Sequence, residues 1–192
     1  VLEECGRTLT PSPLISTALL ATSALIISGN ESVCEHWLPQ IAAGEKLLSI
    51  AFEESSLHLS TCVNTQAEPD AESYRLMGKK LAVMDGNSAD AYVVSLRTRE
   101  SEEPRDGLSL FLVPADVEGL SIETAVLLDN RCASTLLLDD VVVSRSQLLG
   151  PLHGGYTILK QTLDRGRIGM AAEMLGIAQE AFERTVQYLK ER

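Results

Sequence analysis

The chain has 192 residues, of which 45% are hydrophobic and 22% charged, and its formal net charge is −11. That length and composition suit one or two globular domains with a sizeable core and exclude a disordered chain. The acidic balance argues against nucleic acid, whose phosphates would repel this surface where no basic stripe overrides the field.

Pro11 and Pro13 stand where a helix can begin, because proline loses nothing in a first turn, and Gly29–Asn30 supply a C-terminal stop. A helix of about four turns is predicted between them. It holds the most apolar stretch, Leu14 to Ile27, but Ser16, Thr17, Thr22 and Ser23 interrupt that run. It falls short of the roughly 18 residues a membrane span needs, so a buried helix is expected and no membrane contact. A short helix follows from about Glu31 to Gln40, with Gly44 as its exit. No basic, apolar export signal is recognisable, and a cytoplasmic protein is expected. Cys5, Cys34, Cys62 and Cys132 are far apart, and His36, His58 and His153 stand alone. Metal-ligand spacing is therefore absent, and the thiols read as free cysteines, mostly small core residues, in a reducing compartment.

From Leu47 the hydrophobic period changes. LLSIAFEE, TCVNTQAE, YRLMG, KKLAVM, AYVVSLRT, LSLFLVP, LSIETAVL and TLLLDDVVV are short runs separated by turn residues such as Asp85-Gly86-Asn87 and Glu118-Gly119. Regular short runs with no helices between them predict an antiparallel sheet, as a sandwich or barrel, to about Val143. Ser101 to Asp106 reads as a solvated hairpin loop. Gly150 to Gly155 is glycine-rich before a helix, and it is read as a flexible joint in preference to a phosphate cradle. From Gly155, Tyr156, Leu159, Leu163, Met170, Met174, Ile177 and Ala181 recur at helical spacing, which predicts one long helix with an apolar face. The fold class is thus α+β: helices, a β-domain, then a long helix. Lys79–Lys80, Arg97–Arg99 and Arg165–Arg167 are local positive spots, each read as solvated surface charge.

Five segments in this order carry a resemblance. They are Val1 to Leu14, Trp37 to Glu54, Tyr74 to Val94, the strand ending LDDVVV with its LLG turn, and the helix string LDRGR. Together they resemble the acyl-CoA dehydrogenase family over essentially the whole chain. The resemblance implies that residues 1–46 end an N-terminal helical domain, that 47–150 form the β-domain facing flavin and acyl-CoA, and that 151–192 begin a C-terminal helical bundle. Members of that family are about twice this length, so an internal portion or a shortened relative is expected.

The resemblance also implies a site. The family segment "A-L-T-E-P-x-x-G-S-D" corresponds to Ala51 to Ser60, where Ala51 and Glu54 match and the last three positions are His58-Leu59-Ser60. The segment "G-x-K-x-W-I-T-N-G" corresponds to Gly78 to Gly86, with Ala82 in the aromatic position and Met84 in the hydroxyl position. Phe52, Glu53, Glu54, Ala82, Val83 and Met84 are the expected FAD contacts. Losing the aromatic contact and the side-chain hydrogen bonds, about 3 kcal/mol together, lowers the expected flavin affinity about a hundredfold. Thr98, Asp164 and Arg167 are the expected acyl-CoA contacts, with a plain i,i+3 ion pair as the competing account of the last two. The helix position that carries the base in some members is Gly166 here, so no catalytic residue is assigned within the chain. The function implied is α,β-dehydrogenation of an acyl-CoA thioester with FAD as hydride acceptor. The alternative is a degenerate, non-catalytic partner in a hetero-oligomer. A homo- or hetero-oligomer with another such subunit and an electron-transfer flavoprotein are the implied protein partners.

Overall fold

The computed structural model describes residues 1–55 and 63–192; His58, Leu59, Ser60, Cys62 and part of the expected TCVNTQAE strand lie outside the described residues. Helix α1 (Leu2–Thr8) precedes the predicted elements and ends with Leu9 in the left-handed region. The predicted four-turn helix is a π-helical segment, Leu14–Ala21, capped by Pro13 and running directly into α2 (Thr22–Ser28), which stops at Gly29 with φ 68°. Helix α3 (Glu31–Ala42) begins at Asn30. The Asn30 side chain accepts from the Val33 amide at 3.2 Å and donates to the carbonyls of Ser146 and Leu148 at 3.1 and 2.9 Å. One residue thus caps the helix and fixes it to the far end of the β-domain. No helix among the described residues is long and apolar enough to cross a membrane.

Among the described residues eight strands follow: β1 (Leu48–Ala51), β2 (Gln66–Asp70), β3 (Ser73–Met84), β4 (Ala91–Arg97), β5 (Leu108–Pro114), β6 (Leu120–Val126), β7 (Cys132–Ser144) and β8 (Leu148–Leu149). They form one sheet in the order β6-β7-β3-β2-β4-β5-β8, with β1 also beside β4. Pairing is antiparallel except that β1 runs parallel to β4, and β2 meets β4 in parallel at Gln66 and Arg97. The wholly antiparallel expectation is corrected there: side-chain alternation has the same period in both senses, so direction is not written in it. YRLMG and KKLAVM, which read as two runs, are a single strand, β3, passing through Gly78.

The sheet is apolar on both faces where it is central. Along β4 and β5, Ala91, Val93, Leu110 and Leu112 point to the helices and join Leu25 and Leu159 in one core. Tyr92, Val94, Leu96, Phe111 and Val113 point the other way, into a second core with Tyr74, Leu76 and Leu136. Tyr74 on β3 meets Phe111 on β5 with ring centroids 4.9 Å apart, although two strands separate them in the sheet. The sheet is therefore curled around this second core.

Helix α4 (Gly155–Glu191) leaves the sheet at β5 and crosses the N-terminal helices. The apolar face predicted from Tyr156 to Ala181 is not the one it buries. Leu159 is buried, but Met174 and Ile177 are 62% and 41% exposed, and the buried stripe is Ile158, Thr162, Gly166, Gly169, Glu173 and Gly176. The glycines let α1 lie almost against the α4 backbone: a Cβ on Gly6 would strike the Glu173 carbonyl, and one on Gly176 the Glu3 carbonyl. Backbone proximity, and not side-chain hydrophobicity, chose that face. Cys5, Cys34 and Cys132 are free thiols and half-buried; Cys34 packs against the first core, and Cys5 and Cys132 belong to neither core.

Candidate functional site

Between the sheet and α4 lies a cleft of about 480 Å³. Ile15 and Leu20 of the π-helical segment form one wall, Ile50, Phe52, Glu53, Ala82 and Met84 the sheet wall, and Leu163, Gly166, Arg167, Met170, Ala171 and Met174 the α4 wall. The α4 residues recur at three- and four-residue intervals, so they share one helix face.

The sheet wall depends on a bulge. The β3–β7 register slips by one residue between Lys80 and Val83, and Ala82 sits there with φ 51°. A bulge resets the alternation of the strand. Lys80 and Val83, three apart, both turn inward and are buried, while Ala82 and Met84 face the cleft. Just after β1, Glu53 bridges to Leu81, whose amide donates to the Glu53 carbonyl at 2.8 Å. Ser49 Oγ donates to the Met84 carbonyl at 2.5 Å, which joins the two strands again.

Beneath this wall Lys80 Nζ, fully buried, donates to Glu54 Oε1 at 2.6 Å and to Ser95 Oγ at 3.1 Å. Glu54 also accepts from the amides of Asn64 and Thr65 at 2.6 and 3.0 Å and from Thr65 Oγ1 at 2.6 Å. Burial pulls the Lys80 pKa down to about 8, against the upward pull of Glu54. Burial acts to raise the Glu54 carboxyl, but Lys80 and the Thr65 and Asn64 hydrogen bonds outweigh it and hold that group below its ordinary value.

The cleft brings together Phe52, Glu53, Ala82, Met84 and Arg167 of the expected site residues. Glu54 is turned away into the ion pair with Lys80, and the Val83 side chain belongs to the second core. Asp164 does not line the cleft. It is half exposed and accepts from Arg167 Nη1 at 2.5 Å, with Lys160 at 3.6 Å, so the i,i+3 ion pair is present. Thr98 stands elsewhere, near the start of α4: it accepts from or donates to Ser109 Oγ at 2.7 Å and His153 Nδ1 at 2.8 Å. Burial and the nearby charge of Arg99 hold the His153 pKa below its usual value. From Gly155 to Asp164 is about 14 Å along the helix, so Thr98 and the Asp164–Arg167 pair are at different places.

Gly166 is buried, and a Cβ there would meet Leu20 Cδ2 at 2.5 Å. Lys80, Arg131 and Glu173 were not singled out from sequence for the site. The signal for Glu173 was available: it is a charge on a stripe otherwise made of small and apolar residues, between Met170 and Ile177.

The donor set suits a flat, largely apolar ring. Phe52, Met84 and Met170 give the lining apolar surface, and among the described residues Glu53 and Arg167 are its charged side chains. A flavin ring fits these faces. Ala82 and Met84 offer such a ring no side-chain donor.

Residues 153–192 match the sequence profile described as acyl-CoA dehydrogenase, C-terminal domain. Over 183 residues the chain is 32% identical to the caffeyl-CoA reductase-Etf complex subunit CarC of Acetobacterium woodii, covering 93% of this chain and 48% of that protein. The butyryl-CoA dehydrogenase structure from Megasphaera elsdenii superposes with a TM-score of 0.91 at 28% identity, covering 100% of this chain and 51% of that one. A glutaryl-CoA dehydrogenase from Mycobacterium smegmatis in complex with FADH2 superposes with a TM-score of 0.84 at 28% identity, covering 93% and 45%. The chain spans about half the length of the curated relatives it matches. In sequence, in strand order and in the helix that walls its cleft, this chain is a member of the acyl-CoA dehydrogenase family.

Proposed function

We propose that the protein is a flavoprotein subunit that oxidises an acyl-CoA thioester to its α,β-unsaturated product with FAD as hydride acceptor. The observation that carries this reading is the cleft, because it joins Phe52, Glu53, Ala82 and Met84 to Arg167 across the sheet–helix boundary. On this reading residues 1–46 end a helical domain, 47–150 form the β-domain, and 151–192 begin the C-terminal helical domain.

The chain's own residues divide the work by chemistry. Phe52, Ala82 and Met84 would hold the flavin ring, with the Glu53 carboxylate beside it as a hydrogen-bond acceptor. A flavin bound there supplies the two-electron acceptor. Leu163, Met170 and Met174 keep water from the acyl chain, which strengthens electrostatic contacts at the reacting carbons. Arg167, 68% exposed and steadied by Asp164, meets the anionic CoA arm at the rim. Glu53 lies on the wall assigned to the flavin, and Gly166 offers no side chain, so no catalytic base is assigned among the described residues. An electron-transfer flavoprotein is the proposed electron acceptor, in keeping with the Etf complex named for the Acetobacterium relative. The cytoplasm is the proposed compartment.

A second reading, a non-catalytic partner in a hetero-oligomer, is favoured by Gly166 and by the scarcity of donors for a flavin edge. Visible absorbance of the purified intact protein separates the two. Bound flavin that bleaches on adding acyl-CoA supports the enzyme. A colourless protein that acquires flavin and turnover only with a co-expressed relative supports the partner, and a colourless protein under both conditions refutes both.

A further inference from the structure

The loop after α1, the hairpin joining β6 to β7 and the middle of α4 enclose a recess of about 440 Å³ that shares no lining residue with the cleft. Leu9, Pro11 and Ile177 give it apolar walls, and among the described residues Asp129, Arg131 and Glu173 are its charged side chains. Glu173 is 5% exposed. Its Oε1 accepts from Arg131 Nη2, but Oε2 has no hydrogen-bond partner among the described residues. A carboxylate oxygen removed from water without a partner is costly, so the recess favours whatever brings it a donor.

The hairpin fixes this arrangement. The Leu127 amide donates to the Arg131 carbonyl at 2.8 Å, the Asn130 amide to the Leu127 carbonyl at 3.0 Å, and the Arg131 amide to Asp129 Oδ1 at 3.1 Å. Asn130 takes φ 64°, a conformation that asparagine tolerates better than most residues. Arg131 Nε lies 3.8 Å from Asp129 Oδ2, so one guanidinium serves two carboxylates and one negative charge is left over. The cations next along this side are already paired: Arg7 with Glu180 and Glu183, and Arg184 with Glu180. No group of three or more metal-binding side chains stands among the described residues, and Arg131 would repel a bare metal ion. The surplus charge beside apolar walls therefore suits an organic cation.

We infer that this recess is a binding site for a primary alkylammonium ion, with its head on Glu173 Oε2 beside Asp129 and its stem on Leu9, Pro11 and Ile177. The ammonium is compact and carries three donors, whereas the flat guanidinium position is held by Arg131 itself. The last torsion of glutamate is soft, so Oε2 turns to the head while Oε1 keeps Arg131. Leu9 is 72% and Ile177 41% exposed, and a stem laid over them takes that surface out of water. Each methylene so buried raises affinity by up to about fourfold. The site is independent of the acyl-CoA reading.

Calorimetric titration of the intact protein with n-butylammonium, 1-butanol and butyrate at constant ionic strength tests this. Butylammonium is expected to saturate in the millimolar range, 1-butanol to bind at least about tenfold more weakly and butyrate not to bind, while n-hexylammonium binds about tenfold more tightly than butylammonium. Glu173→Gln keeps the shape and the acceptor but not the charge, and should cost about tenfold or more. Asp129 is 60% exposed, so Asp129→Asn is expected to fold and to cost about threefold. Glu35→Gln, on the exposed face of α3, is expected to change nothing. Should Glu173→Gln fail to fold, Asp129→Asn and the ligand series on the unmodified protein still decide. Butyrate binding as tightly as butylammonium overturns the site. So do an equal loss in Glu35→Gln and Asp129→Asn, and butylammonium binding that shows no saturation by about 50 mM.

Discussion

Replacing Lys80 by methionine isolates the ion pair beneath the cleft wall. Glu54 would remain charged and buried with its hydrogen bonds from Asn64 and Thr65 but without its counter-ion. Breaking a buried pair from one side costs about 3–5 kcal/mol, and for a domain of this size that lowers Tm by about 6–20 °C. Lys80→Met/Glu54→Gln should recover at least half of the loss, because the neutral amide still accepts from Asn64 and Thr65. The pH dependence gives an independent reading. The unfolded chain keeps a proton on Lys80 up to about pH 10.5 and the folded protein only to about 8. Between those values the unfolded state binds more protons, so stability rises with pH as the desolvated Lys80 charge is lost. Glu54 acts at the other end: its lowered pKa gives stability that is present above its ordinary value of 4.5 and is lost as the pH falls through the folded value. Urea unfolding of the intact protein and its variants from pH 7 to 10.5 measures these effects. A single variant within about 0.5 kcal/mol of the unmodified protein, or one that keeps the alkaline rise, would refute the reasoning.

Arg167→Ala removes an exposed ion pair worth less than about 1 kcal/mol, so Tm should move by no more than about 4 °C while acyl-CoA affinity falls about tenfold; equal effects on melting and binding favour a purely structural pair. Ala82→Trp with Met84→Thr should tighten flavin binding by about tenfold or more in a fluorescence titration. Unchanged affinity would remove these positions from the flavin wall. Gly6→Ala should cost about 3 kcal/mol, since its Cβ strikes backbone, whereas Gly166→Ala should change stability by less than about 1 kcal/mol, since only the flexible end of Leu20 must move. Thermal melts that rank these two in the opposite order would contradict the packing described.

The order of helices, sheet and long helix was legible because hydrophobic period changes at Leu47 and again at Gly155. Helix ends were legible where chemistry marks them, at Pro13, Gly29 and Asn30. Strand direction was not, and β1 beside β4 is the instance: alternation cannot tell parallel from antiparallel. The buried face of α4 was misread because apolar periodicity assumes that side chains make the contact, and here Gly6 and Gly176 let backbone do so. In the cleft, motif position picked out Phe52, Ala82 and Met84 as lining residues but not the turn of Glu54 toward Lys80. The bulge at Ala82 inverts the alternation on which any such assignment depends, and nothing in KKLAVM announces it. The Arg131–Glu173 pair joins positions 42 apart and is invisible to local pattern.

The glycine crossing of α1 and α4 also has a kinetic meaning. Arg7 reaches Glu180, 173 positions away, so α1 finds its seat only after the whole stretch between them has been made. Until then α1 must wait with its contact face in water, and a contact of such long range is slow to close. Once closed, it joins α1 to α4 across everything between. A protease cut in the exposed loop at 102–106 should therefore leave two pieces that stay together through gel filtration in native buffer and separate only in denaturant.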